Sequence, residues 1–253
     1  MKNRIVAAAL VLCLLLTLCA CGKKGRSETE NTTQEPTTIP SPVLPESARV
    51  APGYFDDVLF IGDSISEGLA TFASSGQVLG AAQFLTSVSL SATNALWEVS
   101  SRSVHPRWQG QKMKVEDAVP KTGKTKVYLM LGMNDIISVG VERSVENFET
   151  LCTRIQENAP QTQIFVQSVT PIVGEGRTSG EHTLTNTTIT RYNDLLQELC
   201  LQNGWHYLDI ASVLRDGTGH LNASFCSDPS GMGMHLNRSG WEAWIEYLYT
   251  HTA

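Results

Sequence analysis

The sequence predicts an α/β domain with a parallel five-stranded sheet and helices on both faces. Three observations carry this. Short, unbroken apolar runs recur along the chain, as in strands covered on both sides. Longer segments with apolar residues at three- and four-residue spacing lie between them. The two patterns alternate five times, with no internal repeat, which is the order that builds a parallel sheet through helical crossovers.

Residues 58–61, VLFI, are the first strand. Gly62 and Asp63 turn the chain, and Ser64 opens a helix. A residue there stands at the carboxyl end of a strand, where open α/β sheets bind ligands, and beside the free N–H groups of a helix start. The plain alternative is that Ser64 is a helix N-cap. Residues 83–88, QFLTSV, form the second strand, and Leu96 and Trp97 suit the buried face of the helix that follows. Residues 101–113 read as irregular and 115–119 as a short helix. Residues 126–131, KVYLML, are the third strand and run straight into Gly132-Met133-Asn134-Asp135. Ser144 is placed to cap a helix reaching Asn158, with Phe148, Leu151 and Ile155 at helical spacing and Pro160 beyond its end. Residues 163–169, QIFVQSV, are the fourth strand. A loop rich in Gly, Ser and Thr spans residues 173–186, long enough to suggest the rim of a binding site. A helix over 188–203, a fifth strand over 205–210 and a last helix over 238–250 complete the order. In that helix Trp241, Trp244, Ile245 and Leu248 share one face and should pack on the sheet.

The first 52 residues read differently. Lys2 and Arg4 precede an apolar run over residues 5–20, short for a spanning helix and suited to a signal sequence. The run ends in Leu18-Cys19-Ala20-Cys21, which resembles the lipobox of bacterial lipoproteins and implies Cys21 as the lipidated residue. Residues 1–21 are therefore expected to be a lipoprotein signal peptide; the alternative is an uncleaved N-terminal anchor. Residues 22–52, rich in Thr, Ser, Glu and Pro, are expected to be a disordered tether, and 53–253 the folded domain. This places the domain outside the cytoplasm, held to the membrane by lipid alone. The net charge is −6, and −8 once Lys2 and Arg4 are removed, which argues against a nucleic-acid binder. Cys152, Cys200 and Cys226 are too few and too widely spaced for a disulfide framework, though one bridge stays open. Cys152 and Cys200 fall in helices and suit small core positions.

Three residues then gather on one edge. Ser64 follows the first strand, Asn134 follows the third, and His235 precedes the last helix. Serine attack on an ester needs a base such as histidine, which titrates near neutrality. It also needs donors where the carbonyl oxygen becomes negative, which a side-chain amide and backbone N–H groups supply. GDSIS, GMND and HLN, in that order, resemble the motifs of the GDSL-like, or SGNH, hydrolase family over roughly residues 54–251.

The resemblance implies a three-layer α/β/α, flavodoxin-like fold and a serine esterase working through an acyl-enzyme. Ser64 is then the nucleophile and His235 the general base. The oxyanion donors are the Ser64 N–H, the N–H of Ser89, which stands where the family has glycine, and the Asn134 amide. No cofactor and no metal are implied. The substrate expected from location and analogy is an O-acyl or O-acetyl ester of carbohydrate or cell-wall glycan.

One departure stands out. The family pattern is Asp-x-x-His, but Met232 stands three residues before His235, and the nearest acid is Asp228, seven before. Either the glycine-containing loop folds Asp228 back, or a backbone carbonyl replaces the acid and leaves a Ser–His dyad. With no acid at the family position, the dyad is the expected arrangement. The missing acid also motivates a rival reading, an SGNH-fold protein that binds glycan with little or no catalysis.

Other patterns fail on context. Gly123-Lys124-Thr125 lacks the earlier glycine and the following helix of a phosphate-binding loop. Gly174, Gly176 and Gly180 miss the dinucleotide spacing by one. There is no Gly-x-Ser-x-Gly elbow and no histidine pair at metal-binding spacing; Met232 and Met234 read as pocket wall or core rather than metal ligands.

Overall fold

Five parallel strands form the central sheet in the order β2-β1-β5-β6-β9. They are β1 (Val58–Gly62), β2 (Gln83–Thr86), β5 (Lys126–Met130), β6 (Gln163–Gln167) and β9 (His206–Leu208). The computed structural model describes residues 41–253; the expected signal segment, Cys21 and the tether up to residue 40 lie outside them. The chain crosses from β2 over β1 to β5, so the strand order reverses between β1 and β5. That is the switch point at which open sheets form a crevice at their carboxyl ends.

The helices are α1 (Ser64–Gly76), α2 (Ala92–Ala95), α3 (Val115–Thr122), α4 (Met133–Val139), α5 (Val141–Asn158), α6 (Asn186–Asn203), α7 (Ile210–Leu214) and α8 (Arg238–Thr250). α1 packs with α8, while α5 packs with α2, α3, α4 and α6, so the sheet lies between two helical layers. On α8, Trp241, Trp244, Ile245 and Leu248 are buried, as their spacing predicts. The Trp244 indole N–H donates to Gln167 Oε1 at 3.0 Å, pairing two polar groups inside the core.

One row of rings crosses the whole sheet. Phe84, Phe60, Tyr128, Phe165 and His206 are register partners on successive strands, with ring centroids 4.5–5.2 Å apart. Register partners point to the same face, so in-line aromatic residues meet, three pairs stacked and Phe60–Tyr128 tilted by 53°. Each strand's apolar content is readable alone; the row exists only once the strands are ordered.

Several expectations need correction. Ser144 does not cap a helix. Two helices, α4 and α5, meet at Gly140 (φ 79°), and the buried Ser144 hydroxyl donates back to the Gly140 carbonyl. α2 is a single turn, and Trp97 lies beyond it, 54% exposed rather than buried. The loop over 173–186 contains a hairpin, β7 (Arg177–Ser179) and β8 (His182–Leu184), that packs on α4. The irregular stretch over 101–113 holds a smaller hairpin, β3 (Arg107–Trp108) with β4 (Gln111–Lys112). The folded domain also begins before residue 53. Val43 pairs in parallel with Tyr207, the Leu44 N–H donates to the Tyr207 carbonyl at 2.9 Å, and Leu44 is buried. A Thr/Ser/Pro composition concealed two apolar residues that complete the β9 edge. Cys152, Cys200 and Cys226 are buried free thiols.

Candidate active site

Ser64 is the first residue of α1, and Asp63, not Ser64, is its N-cap: Asp63 Oδ1 accepts the Ile65 N–H at 3.0 Å. The Ser64 hydroxyl is therefore free to face outward. Its Oγ lies 3.4 Å from His235 Nε2, across 171 residues of sequence. Such a contact is loose, as is common before substrate closes around it.

His235 Nδ1 lies 2.8 Å from Asp228 Oδ2. The loop thus folds the acid back, against the expected dyad. The fold-back has a local cause. Cys226 and Leu236 form an antiparallel bridge, and the Ser227 N–H donates to the His235 carbonyl at 2.8 Å, so the segment between them is a closed loop. Inside it the Asp228 carbonyl accepts the N–H groups of Gly231 and Gly233. Gly233 has φ 67°, and a Cβ there would come within 2.9 Å of the Val173 carbonyl oxygen, so glycine is needed for the loop to close. Asp228 Oδ1 accepts the backbone N–H of Met234 and of His235, both at 3.1 Å, and the Cys226 thiol at 3.3 Å. Burial opposes ionisation of Asp228, but the bonds from His235 and from Cys226 outweigh it and hold the carboxyl below its usual range. Met234 is buried, whereas Met232 is 44% exposed on the loop and not in the core.

Asn134 lies in the first turn of α4. Its Nδ2 donates to Asp63 Oδ2 and to the Leu90 carbonyl, both at 3.2 Å. The amide thus bridges the residue before Ser64 and the residue after Ser89. Both bonds are long, so either can be exchanged for a better acceptor. Ser89 has φ 63°, the left-handed conformation that glycine adopts most readily. No acceptor meets the N–H of Ser64 or of Ser89 among the described residues. Gly132 precedes α4 at φ 156°, and a Cβ there would lie 2.4 Å from the Tyr192 ring, which fixes how closely the end of β5 approaches α6.

Two buried acids behind the site went unassigned in the sequence reading, although both belong to its motifs. Asp135 accepts the N–H groups of Ala92 and Thr93 and the Thr93 hydroxyl, which ties the segment carrying Ser89 to α4. Burial pushes its carboxyl up, against those bonds. Asp63 is pushed up to about 6, chiefly by burial and further by Asp135, against the bond from Ile65 and the nearby His235. The signal for both was an acid beside each candidate site residue, in GDS and in GMND.

Ser64, His235, Ser89 and Asn134 therefore meet at one edge of the sheet, and Asp228 joins them. A hydroxyl, an imidazole and a carboxylate in line are the parts of nucleophilic acyl transfer. Among the described residues no cluster of His, Cys, Asp and Glu is arranged to hold a metal, and no helix is long and apolar enough to cross a membrane.

Comparison with known proteins adds three findings. The family model of the GDSL-like lipase/acylhydrolase family matches residues 60–243. No curated protein matches the sequence significantly. Solved structures share the fold at low identity. A Streptococcus pneumoniae protein provisionally assigned as a platelet activating factor is 19% identical, with 76% of this chain and 81% of that chain covered at TM-score 0.55. A GDSL-like lipase from Bacteroides thetaiotaomicron is 13% identical, with 79% and 89% covered at 0.54. A carbohydrate esterase family 3 protein from Talaromyces cellulolyticus is 15% identical, with 76% and 93% covered at 0.51.

Proposed function

The chain belongs to the GDSL-like lipase/acylhydrolase family and is a serine hydrolase acting on ester bonds, and from that premise we propose that it removes O-acyl groups from carbohydrate through an acyl-enzyme on Ser64. His235 takes the Ser64 proton as the hydroxyl attacks the ester carbonyl. It then gives that proton to the departing alkoxide, and later activates the water that releases the acid. Asp228 holds the imidazole with Nδ1–H toward the carboxylate, leaving Nε2 free to accept. The N–H groups of Ser64 and Ser89 and the Asn134 amide, exchanging its bond to Leu90, receive the oxyanion.

The single observation that carries this is the continuous contact from Ser64 Oγ to His235 Nε2 and from His235 Nδ1 to Asp228. It also removes the motive for a non-catalytic, glycan-binding reading, which rested on a missing acid. The carbohydrate part is supported by the fold shared with a carbohydrate esterase and by the tether composition, which offers reach. The lipobox-like Leu18-Cys19-Ala20-Cys21 supports an anchored, extracytoplasmic location.

The test pairs a fluorophosphonate probe with p-nitrophenyl acetate hydrolysis. Wild type should label and turn over, and Ser64→Ala should do neither above background. Equal rates in the two would overturn the assignment. For location, wild type should incorporate labelled palmitate and Cys21→Ala should not; equal labelling of the two would remove the lipid anchor.

A further inference from the structure

We propose that the cleft beside Ser64 holds the alcohol half of the ester, that it takes a sugar ring bearing a carboxylate, and that Arg238 selects for that charge. The proposal deepens the reading of Ser64 and His235 above and rests on it.

Position assigns the half of the substrate. The group next to the imidazole must be the leaving alcohol, because His235 protonates the departing oxygen. The cleft is about 480 Å³ and runs from Ser64 and His235 between α1 and the start of α8. From α1 it is lined by Ser64, Gly68, Thr71, Phe72 and Ser75, a single stripe at helical spacing. Eleven helical rises from Ser64 to Ser75 make it about 16 Å long, enough for more than one ring. It is an open groove rather than a tunnel, which suits an extended chain.

The walls assign the chemistry. Trp241 packs so closely over Gly68 that a Cβ there would meet the indole at 2.6 Å; with Phe72 it forms an apolar inner wall. Farther out, the Thr71 and Ser75 hydroxyls donate to the backbone carbonyls of Glu67 and Phe72, so their lone pairs remain to accept. Arg238 lies over the Phe72 ring, 5.4 Å from its centroid. Its one acceptor among the described residues is Glu242, at 3.5 Å. Most of its five N–H donors are left for a ligand, in a fork that matches a carboxylate. A sugar acid meets all three features: C–H faces for the rings, hydroxyls for Thr71 and Ser75, and a carboxylate for Arg238. An alkyl alcohol would fill the inner wall and leave most of the guanidinium donors unmet, with Glu242 as their one acceptor.

The test separates binding from turnover. Methyl glucuronide and methyl glucoside are titrated into the full-length Ser64→Ala protein, with indole fluorescence as the readout. The glucuronide should bind about fivefold more tightly, the scale of one exposed charge pair. Arg238→Gln should erase the difference, and Arg238→Lys should restore part of it. Acetylated forms of the two sugars, given to the wild-type protein, should show the same ratio in kcat/KM, carried by KM. Equal affinities, a preference that survives Arg238→Gln, or no saturable binding of either sugar would each overturn the proposal. Selective binding without turnover of any ester would instead overturn the esterase reading and leave this site standing.

Discussion

At the scale of single residues, Asp228 decides how strong a base His235 can be. Its carboxylate takes four donors: two backbone N–H groups, a thiol and the imidazole. An asparagine there could keep its oxygen toward the Met234 and His235 N–H groups. Its amide N–H would then face His235 Nδ1 and force the proton onto Nε2, the atom that must accept from Ser64. Asp228→Asn should lower kcat for p-nitrophenyl acetate by about 10³- to 10⁴-fold with the fold intact. A rate within twofold of wild type would remove Asp228 from the mechanism. Ser64 and His235 were legible because each sits in a short motif at a strand or helix end. Asp228 was legible only as one of two alternatives, because its approach to His235 depends on the Cys226–Leu236 bridge. A seven-residue spacing carries no local signal for such a closure.

At the scale of elements, the junction of β1 and α1 shows how the sheet presents its nucleophile. A Cβ on Gly62 would come within 2.0 Å of the Ser66 hydroxyl and 2.8 Å of the Met130 carbonyl, so only glycine lets β1 end against β5 and turn at once. Asp63 then caps α1 from a fully buried position, and that position has a thermodynamic consequence. Its carboxyl is raised from 3.8 to about 6. The folded state therefore holds the proton more tightly than the unfolded chain. Below about pH 4 both states are protonated and the penalty is absent; as pH rises from about 4 to about 6 the unfolded state ionises first and stability falls. A shift of about two units corresponds to about 3 kcal/mol. Asp63→Asn, which keeps a capping oxygen, should lack this slope, so the difference in urea unfolding free energy between variant and wild type should grow across that window. A constant difference from pH 4 to 7 would show that Asp63 is not the titrating group. Element order was legible from apolar runs and helical spacing. Boundaries failed where a glycine joins two helices, as at Gly140, or where a side chain leaves the expected face, as at Trp97; both depend on neighbours remote in sequence.

At the scale of the molecule, the site exists because the sheet reverses its order between β1 and β5, which brings the ends of two non-sequential strands together under the loop that carries His235. Alternation of strands and helices announced a parallel sheet, but composition misjudged where the fold begins. Residues 41–50 lie along the outer edge of the sheet and the end of α8. The Tyr207 N–H donates to the Pro42 carbonyl at 2.7 Å, the Val50 N–H to the Tyr249 carbonyl at 2.9 Å, and Arg49 pairs with Glu246 while its guanidinium lies 4.1 Å from the centre of the Tyr249 ring. This segment covers the otherwise open edge of β9, a position from which chains pair with one another. Burial of Leu44 and the backbone bonds favour it, and ordering the segment opposes it. Removing the first 52 residues, rather than the first 40, should therefore lower unfolding free energy by about 2 to 4 kcal/mol. The shorter chain should also self-associate through β9, visible by sedimentation at rising concentration. Matching stability and a monomer in both chains would mean that the segment merely rests on the fold. A loss of stability without association would keep its packing role and discard its role as an edge cover, because the two effects come from different contacts: Leu44 and Val50 against the core and α8, and Pro42 to Leu44 along the strand.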